Sequence, residues 1–182
     1  MILELVGSDY KYAAEQMMLT MYPGEKPVYG RAEAGTLSVR LALREGKVYT
    51  TASAVLYDGA GGRYTGYSRA RNLELTGKLE RDRILQRCIK MAFYKAASEA
   101  TGKTPDWGAL TGIRPGKIVT GFIEAGMSAD RAVSRLKREF FVSEERAQLC
   151  KDTAIMGLRT KNSLKERDIA LYIGIPFCPT RC

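Results

Sequence analysis

The stretch Leu37-Ser38-Val39-Arg40-Leu41-Ala42-Leu43-Arg44 decides the fold class of this chain, because every second residue in it is a large apolar one. A two-residue period is that of a β-strand, whose successive side chains point to opposite faces of the sheet. We therefore expect the odd-numbered residues of the stretch to face a core, and Ser38, Arg40 and Arg44 to face away from it.

Two turns follow this strand and predict a meander. Glu45-Gly46 leads into a strand over residues 47–57. The glycine-rich residues 58–62 lead into a third strand over residues 63–71. Short turns of this kind join antiparallel neighbours, so we expect three consecutive antiparallel strands.

A strand and a helix precede the meander. Residues 2–6 are mostly apolar and predict a short strand, which we expect to join the same sheet. Apolar residues at helical spacing predict a helix that ends near Met21, and Ser8 or Asp9 can cap its beginning. The result is a small, mostly antiparallel sheet whose strand order the pattern leaves open.

The period changes to that of a long helix between residues 78 and 101, and Gly102 is placed to end it. Seven apolar residues form one stripe along this helix. They are Ile84, Leu85, Cys88, Ile89, Ala92, Phe93 and Ala96. A helix with one apolar stripe packs across one face of a sheet, so this region predicts an α+β fold with a long covering helix.

Three shorter helices are expected next, near residues 116–125, 129–140 and 144–158. Ser128 and Ser143 stand at N-cap positions, while Gly126 and Gly157 stand at helix ends. Short helices in succession predict a small helical subdomain.

These patterns divide the chain into three parts. We assign an α+β domain to residues 1–102, the helical subdomain to residues 103–165, and the start of a further domain to residues 166–182. In this last part, residues 169–175 are almost continuously apolar, which is typical of a strand buried in a parallel sheet.

Charge and composition restrict the chemistry. With 29 Lys and Arg against 20 Asp and Glu, the formal charge is +9, which favours polyanionic partners. The chain contains no histidine, which excludes a histidine general base, a Ser-His triad and His-ligated zinc within these residues. Residues 1–7 do not have the form of a signal peptide, and no stretch approaches the roughly 20 apolar residues of a membrane span. We therefore expect a cytoplasmic protein.

The four cysteines fall into two classes. Cys88 and Cys150 lie on apolar helix faces, where a buried structural role is expected, because free cysteine packs as a small hydrophobe. Cys178 and Cys182 stand four positions apart on a loop, and soft thiolates at such spacing can converge on one iron–sulfur cluster. A zinc site built from all four is disfavoured by the lack of CxxC spacing.

The residues around the second cysteine pair carry a resemblance to a known family. Tyr172, Ile175-Pro176-Phe177, Cys178 and Cys182 form the pattern YxxIPFCxxxC, which resembles the opening of the radical-SAM motif CxxxCxxC. The pattern is most similar to the oxygen-independent coproporphyrinogen III oxidase and coproporphyrinogen dehydrogenase-like branch. Many members of the branch carry histidine where this chain has Gly174.

The preceding chain resembles the N-terminal extension of that branch. Its most distinctive segment is Leu110-Thr111-Gly112-Ile113-Arg114-Pro115, to which no chemistry is assigned.

The resemblance implies a radical-SAM oxidoreductase of haem (porphyrin) biosynthesis that acts on a porphyrinogen-like polycarboxylate. By resemblance, Cys178 and Cys182 are two of the three ligands of a [4Fe–4S] cluster, and Tyr172 contacts S-adenosylmethionine. The third cysteine would stand three residues beyond Cys182, and residues 169–175 would be the first strand of the catalytic barrel. We therefore expect this chain to be an N-terminal region that binds no cluster and is inactive by itself.

The basic charge supports alternatives. Two rows of cations lie on predicted helix faces: Arg83, Arg87 and Lys90 on one, and Arg131, Arg135 and Arg138 on the other. Such rows are either solvated helix faces or a surface that receives a polycarboxylate or a nucleic acid. The alternative hypotheses are thus a basic nucleic-acid-binding module and a purely structural or oligomerisation domain.

Overall fold

The computed structural model of the protein describes residues 1–71, 77–111, 114–169, 171 and 173–174. Its helices and strands follow one another in this order: β1 (Ile2–Val6), α1 (Lys11–Met21), β2 (Val28–Tyr29), β3 (Leu37–Glu45), β4 (Tyr49–Asp58), β5 (Arg63–Arg71), α2 (Lys78–Thr101), α3 (Pro115–Glu124), α4 (Ala129–Phe140) and α5 (Glu144–Ser163). The α+β class expected from the sequence is confirmed.

The five strands form one mixed sheet in the order β2-β1-β3-β4-β5. The meander β3–β4–β5 is antiparallel, as predicted, and β1 joins it by pairing with β3. That pairing is parallel, because the chain crosses over through α1 before it returns as β3. The two-residue strand β2 lies at the outer edge beside β1 and was not predicted.

One face of the sheet is covered by α2. Val39, Leu41 and Leu43 on that face are at most 4% exposed, as the alternation predicted. Strand β5 approaches α2 so closely that a Cβ added at Gly66 would lie 1.9 Å from the carbonyl oxygen of Ala92. Glycine is therefore required at this contact.

The opposite face of β3 contains one exception to the predicted pattern. Arg40 and Arg44 are exposed there, but Ser38 is buried. Its hydroxyl donates a 3.0 Å hydrogen bond to the carbonyl oxygen of Glu33 and accepts a 3.2 Å bond from the N–H of the same residue. The loop before β3 therefore folds over Ser38 and satisfies its hydroxyl.

Helix α2 contacts both parts of the chain. The predicted stripe is buried against the sheet, although Ile84 is only half-buried. Met91 and Tyr94 are also buried, and the Tyr94 ring stacks on Phe141 with 5.3 Å between the ring centroids. Buried apolar residues therefore form one cluster that runs from the sheet through α2 into the helical part.

Ser128 and Ser143 cap α4 and α5 as predicted. Their hydroxyl oxygens accept hydrogen bonds from the N–H groups of Arg131 and Arg146. The prediction that α5 ends at Gly157 was wrong, because the helix continues to Ser163. A single glycine weakens a helix by only about 1 kcal/mol, and no proline follows it to stop the hydrogen-bond pattern.

The predicted caps of α1 were also wrong. The helix begins after Tyr10, and neither Ser8 nor Asp9 caps it with a side chain. The N–H groups of Ala13 and Ala14 donate instead to the carbonyl oxygen of Tyr10. The first turn of α1 is therefore satisfied by backbone bonds.

The structure describes four residues of the predicted strand over residues 169–175, and none of these four is in a strand. Ile169, Leu171, Ile173 and Gly174 lie in irregular chain, and the three large side chains are 90, 83 and 78% exposed. A strand needs a neighbouring strand to satisfy its backbone, and none of the described strands pairs with these residues. Their place in a barrel stays a prediction.

Across the described ranges, no helix combines the length and the apolar character that a membrane crossing demands.

Candidate functional site

A cavity of about 640 Å³ lies between α2 and α3. One wall is formed by α2 and the opposite wall by the first turns of α3, while residues 109–111 and the end of α4 close it between them. This is the junction of the sheet layer with the helical part, and small-molecule sites often occupy such junctions, with volumes of about 300–1,000 Å³.

The rim of the cavity is strongly cationic. Five basic residues line it: Arg83, Arg87 and Lys90 from α2, with Arg114 and Lys117 at the beginning of α3. No acidic side chain is among the described residues that line it. Because the described lining has positive charges and no negative ones, the cavity should attract anions.

Among the described residues, most of these cations have no acidic partner. The guanidinium of Arg87 lies 3.7 Å from a carboxylate oxygen of Glu139. The other four form no ion pair within the part of the chain that the structure describes. Burial lowers the pKa of Lys90, because a half-buried ammonium loses hydration. An anion bound beside it would reverse that effect.

The floor of the cavity is apolar. It consists of Met91, Ala109, Leu110, Ile118, Phe122 and Phe140. The guanidinium of Arg87 lies 4.9 Å from the centroid of the Phe140 ring, so charge and apolar surface meet at the edge of the floor. A ligand that fits must therefore carry both negative charges and an apolar body.

Thr111 adds an unused polar group to the cavity wall. The residue is only 7% exposed, and its hydroxyl has no hydrogen-bond partner among the described residues. Burial of a hydroxyl without a partner costs about 1–3 kcal/mol. Such a group is therefore available to a ligand.

The wall that contains Thr111 is fixed by backbone contacts with the α4–α5 connection. The N–H of Ala109 donates to the carbonyl oxygen of Phe140 at 2.8 Å, and the N–H of Ser143 donates to that of Asp106 at 2.8 Å. Gly108 has a φ of 55°, and a Cβ there would lie 2.1 Å from the carbonyl oxygen of Phe140. Only glycine fits this approach.

Three residues predicted to bind cofactors lie outside the described residues. These are Tyr172, Cys178 and Cys182, so the cluster and S-adenosylmethionine contacts stay predictions. Within the described ranges, no group of three or more Cys, Asp or Glu side chains is arranged to hold a metal ion.

The structural role predicted for the other two cysteines is consistent with their burial. Cys88 is 2% exposed and Cys150 is 3% exposed. Burial raises the pKa of both thiols, although a bond with Ser68 and the charge of Arg87 partly offset this effect at Cys88. Neutral thiols in an apolar core are poor metal ligands.

The two predicted rows of cations have different surroundings. The row on α2 lines the cavity. In the row on α4, the guanidinium of Arg135 forms an ion pair with Glu139 at 2.8 Å and lies 4.4 Å from the centroid of the Phe122 ring. Arg135 itself is not among the described residues that line the cavity.

The sequence did not identify Thr111, Arg114 and Lys117 as site residues. A signal for the first two existed, because both stand in the distinctive segment 110–115. Their position in the wall of the cavity depends on how α3 packs, which that segment does not encode.

Comparison with known proteins gives one informative match. No protein-family model matches the chain, and no solved structure matches it. The chain is 30% identical over 157 residues to the oxygen-independent coproporphyrinogen-III oxidase-like protein HemZ of Bacillus subtilis (strain 168). The match covers 85% of this chain but 30% of HemZ, so the chain spans less than a third of that relative.

This similarity gives no support to the nucleic-acid-binding alternative. It agrees instead with the family that the pattern around Cys178 and Cys182 resembles. The resemblance indicated by the sequence is confirmed by this similarity to an oxygen-independent coproporphyrinogen-III oxidase-like protein.

Proposed function

We propose that this chain is the N-terminal region of a radical-SAM oxidoreductase that oxidises a coproporphyrinogen-like substrate in haem biosynthesis. The observation that carries the proposal is the 30% identity over 157 residues to a coproporphyrinogen-III oxidase-like protein. The motif around Cys178 also supports it, because the motif resembles that of the same family.

Three residues would serve the cofactors. Cys178 and Cys182 would bind a [4Fe–4S] cluster together with a third cysteine beyond Cys182, and Tyr172 would contact S-adenosylmethionine. Thiolates are the ligands that such clusters take, so the donor set fits the group. When bound, the cluster and S-adenosylmethionine supply the radical chemistry, and the protein binds and orients the substrate.

The described part of the chain would contribute to substrate binding. Its cationic cavity has the charge and the apolar floor that suit a polycarboxylate with a large apolar body. By this account the present chain alone is inactive, because the reaction needs residues beyond Cys182.

The test is a protein that extends past Cys182 through the catalytic domain, reconstituted without oxygen with iron and sulfide. We expect the absorption of a [4Fe–4S] cluster and reductive cleavage of S-adenosylmethionine. Replacement of Cys178 or Cys182 by alanine should abolish both. Cys150→Ala is the matched control and should retain both, because that thiol is buried in the helical part. An extended protein that forms no cluster and cleaves no S-adenosylmethionine would contradict the proposal.

A further inference from the structure

We propose that the cavity between α2 and α3 is a binding site for an amphipathic polycarboxylate. Its carboxylates would contact the two cationic walls, and its apolar body would lie on the floor that includes Phe122 and Phe140. That the ligand is of the porphyrinogen class rests on the proposed function. The polycarboxylate site itself rests on the geometry alone.

The cationic wall on α2 is long enough to engage more than one carboxylate. Arg83, Arg87 and Lys90 follow one another at spacings of four and three residues, which places them on one face of the helix. At 1.5 Å per residue, the row extends about 10 Å along the helix axis. A ligand with a single carboxylate would leave part of this row without a partner.

The opposite wall offers donors suited to a carboxylate. Arg114 is the N-cap residue of α3, and no side chain caps this helix end by a hydrogen bond. The positive end of the helix dipole therefore adds to the charges of Arg114 and Lys117. Arginine binds carboxylates through paired hydrogen bonds, and the hydroxyl of Thr111 can donate one more.

The floor selects against ligands that are only charged. Phe122, Phe140 and Leu110 present apolar surface between the two charged walls. An inorganic anion would leave this surface exposed to water, whereas an apolar ring system would cover it. A double-stranded nucleic acid would bring phosphates to the rim, but its bases are paired and its charged backbone would not cover the floor.

The test is a titration of this 182-residue chain with coproporphyrin III, a stable tetracarboxylate. Trp107 is the single tryptophan of the chain and stands two positions before the wall segment, so its fluorescence should report binding. We expect saturable one-to-one binding that weakens as salt is added, because the contacts are ionic. Citrate, inorganic phosphate and double-stranded DNA are titrated in parallel and should bind at least about tenfold more weakly, since they cannot cover the floor.

Matched variants separate the cavity from the overall charge. Arg83→Gln with Lys117→Gln removes two exposed cations from the rim and should weaken porphyrin binding about tenfold or more. Arg31→Gln with Lys103→Gln removes two exposed cations that do not line the cavity, and should change binding less than about twofold. Thr111→Val retains the size of the side chain and should weaken binding several-fold without loss of the fold.

Three outcomes would overturn the proposal. Equal weakening by both pairs of substitutions would mean that net charge alone attracts the ligand. Tighter binding of DNA or phosphate than of the porphyrin would assign the cavity to another class of ligand. If this chain does not bind the porphyrin but the extended enzyme is active, the site is wrong and the proposed function stands. If this chain binds the porphyrin but the extended protein forms no cluster, the site stands and the proposed function is wrong.

Discussion

The N–H of Ala109 donates a 2.8 Å hydrogen bond to the carbonyl oxygen of Phe140, and both residues line the same cavity. This bond attaches the segment that leads to Thr111 to the last turn of α4. The position of the cavity wall therefore depends on the packing of the helical part, although the wall segment follows α2 in the chain after only a short loop. Substitutions at this joint should change stability and cavity together.

Gly108→Ala should destabilise the protein by about 2–4 kcal/mol. The residue has a φ of 55°, and its new Cβ would lie 2.1 Å from the carbonyl oxygen of Phe140, a backbone atom that cannot rotate away. Urea unfolding measures the change. Gly121→Ala is the control, because Gly121 lies in α3 with no heavy atom within 4 Å of the added Cβ. It should stabilise by up to about 1 kcal/mol, and equal effects of the two substitutions would refute the steric explanation.

Thr111→Val should raise the free energy of unfolding by about 1 kcal/mol. The substitution removes a buried hydroxyl that has no partner among the described residues and keeps a side chain of similar shape. The same change at Thr101 should lower stability, since that hydroxyl donates to the carbonyl oxygen of Ala97 at 2.7 Å. Thermal unfolding of both variants gives the comparison. A loss of stability at Thr111 would mean that its hydroxyl is satisfied in solution.

Ser143→Ala should cost about 1 kcal/mol of stability. The Ser143 hydroxyl accepts a 3.3 Å hydrogen bond from the N–H of Arg146 and so caps α5. Ser143→Asp should retain most of the stability, because a carboxylate also accepts this bond and interacts favourably with the positive helix end. Ser134→Ala, on an exposed turn of α4, should be nearly neutral. If alanine were harmless at residue 143, the cap would have no energetic role.

Tyr10→Phe should destabilise the protein by about 1 kcal/mol near neutral pH, and by less at alkaline pH. The hydroxyl of Tyr10 donates to a carboxylate oxygen of Asp82 at 2.8 Å, which joins the beginning of α1 to α2. Burial first, and then this bond, raise the pKa of Tyr10 from 10.0 to about 12.

The sign of the pH effect follows from that raised pKa. The unfolded chain loses the Tyr10 proton at lower pH than the folded chain, so the contribution of Tyr10 is complete below pH 10 and is lost as the pH rises towards 12. Urea titrations of both proteins at about pH 8 and about pH 11 measure it. If the difference in free energy of unfolding between the two proteins is the same at both pH values, the assignment is wrong. The other tyrosines are present in both proteins, so their contributions cancel in this difference.

Several elements could be predicted because their signals are local. The alternation from Leu37 onward, the stripe on α2 and the caps Ser128 and Ser143 each depend on residues within a few positions of one another. The end of α5 was missed because one glycine, Gly157, is a weak signal beside the packing of the whole helix. The edge strand β2 was missed because two residues are too few to show a period.

The sequence by itself determined the alternating and helical segments, the basic charge, and the cysteine pattern that first indicated the family. Only the tertiary structure decided the strand order and the cavity. Arg83 on α2 and Lys117 on α3 are 34 positions apart in the sequence and lie on opposite walls of that cavity. Their positions on facing walls result from how the helical part packs against the rest of the fold, in which buried apolar side chains from distant segments form one cluster. Such long-range packing is a property of the folded chain as a whole, so no local pattern of residues contains it.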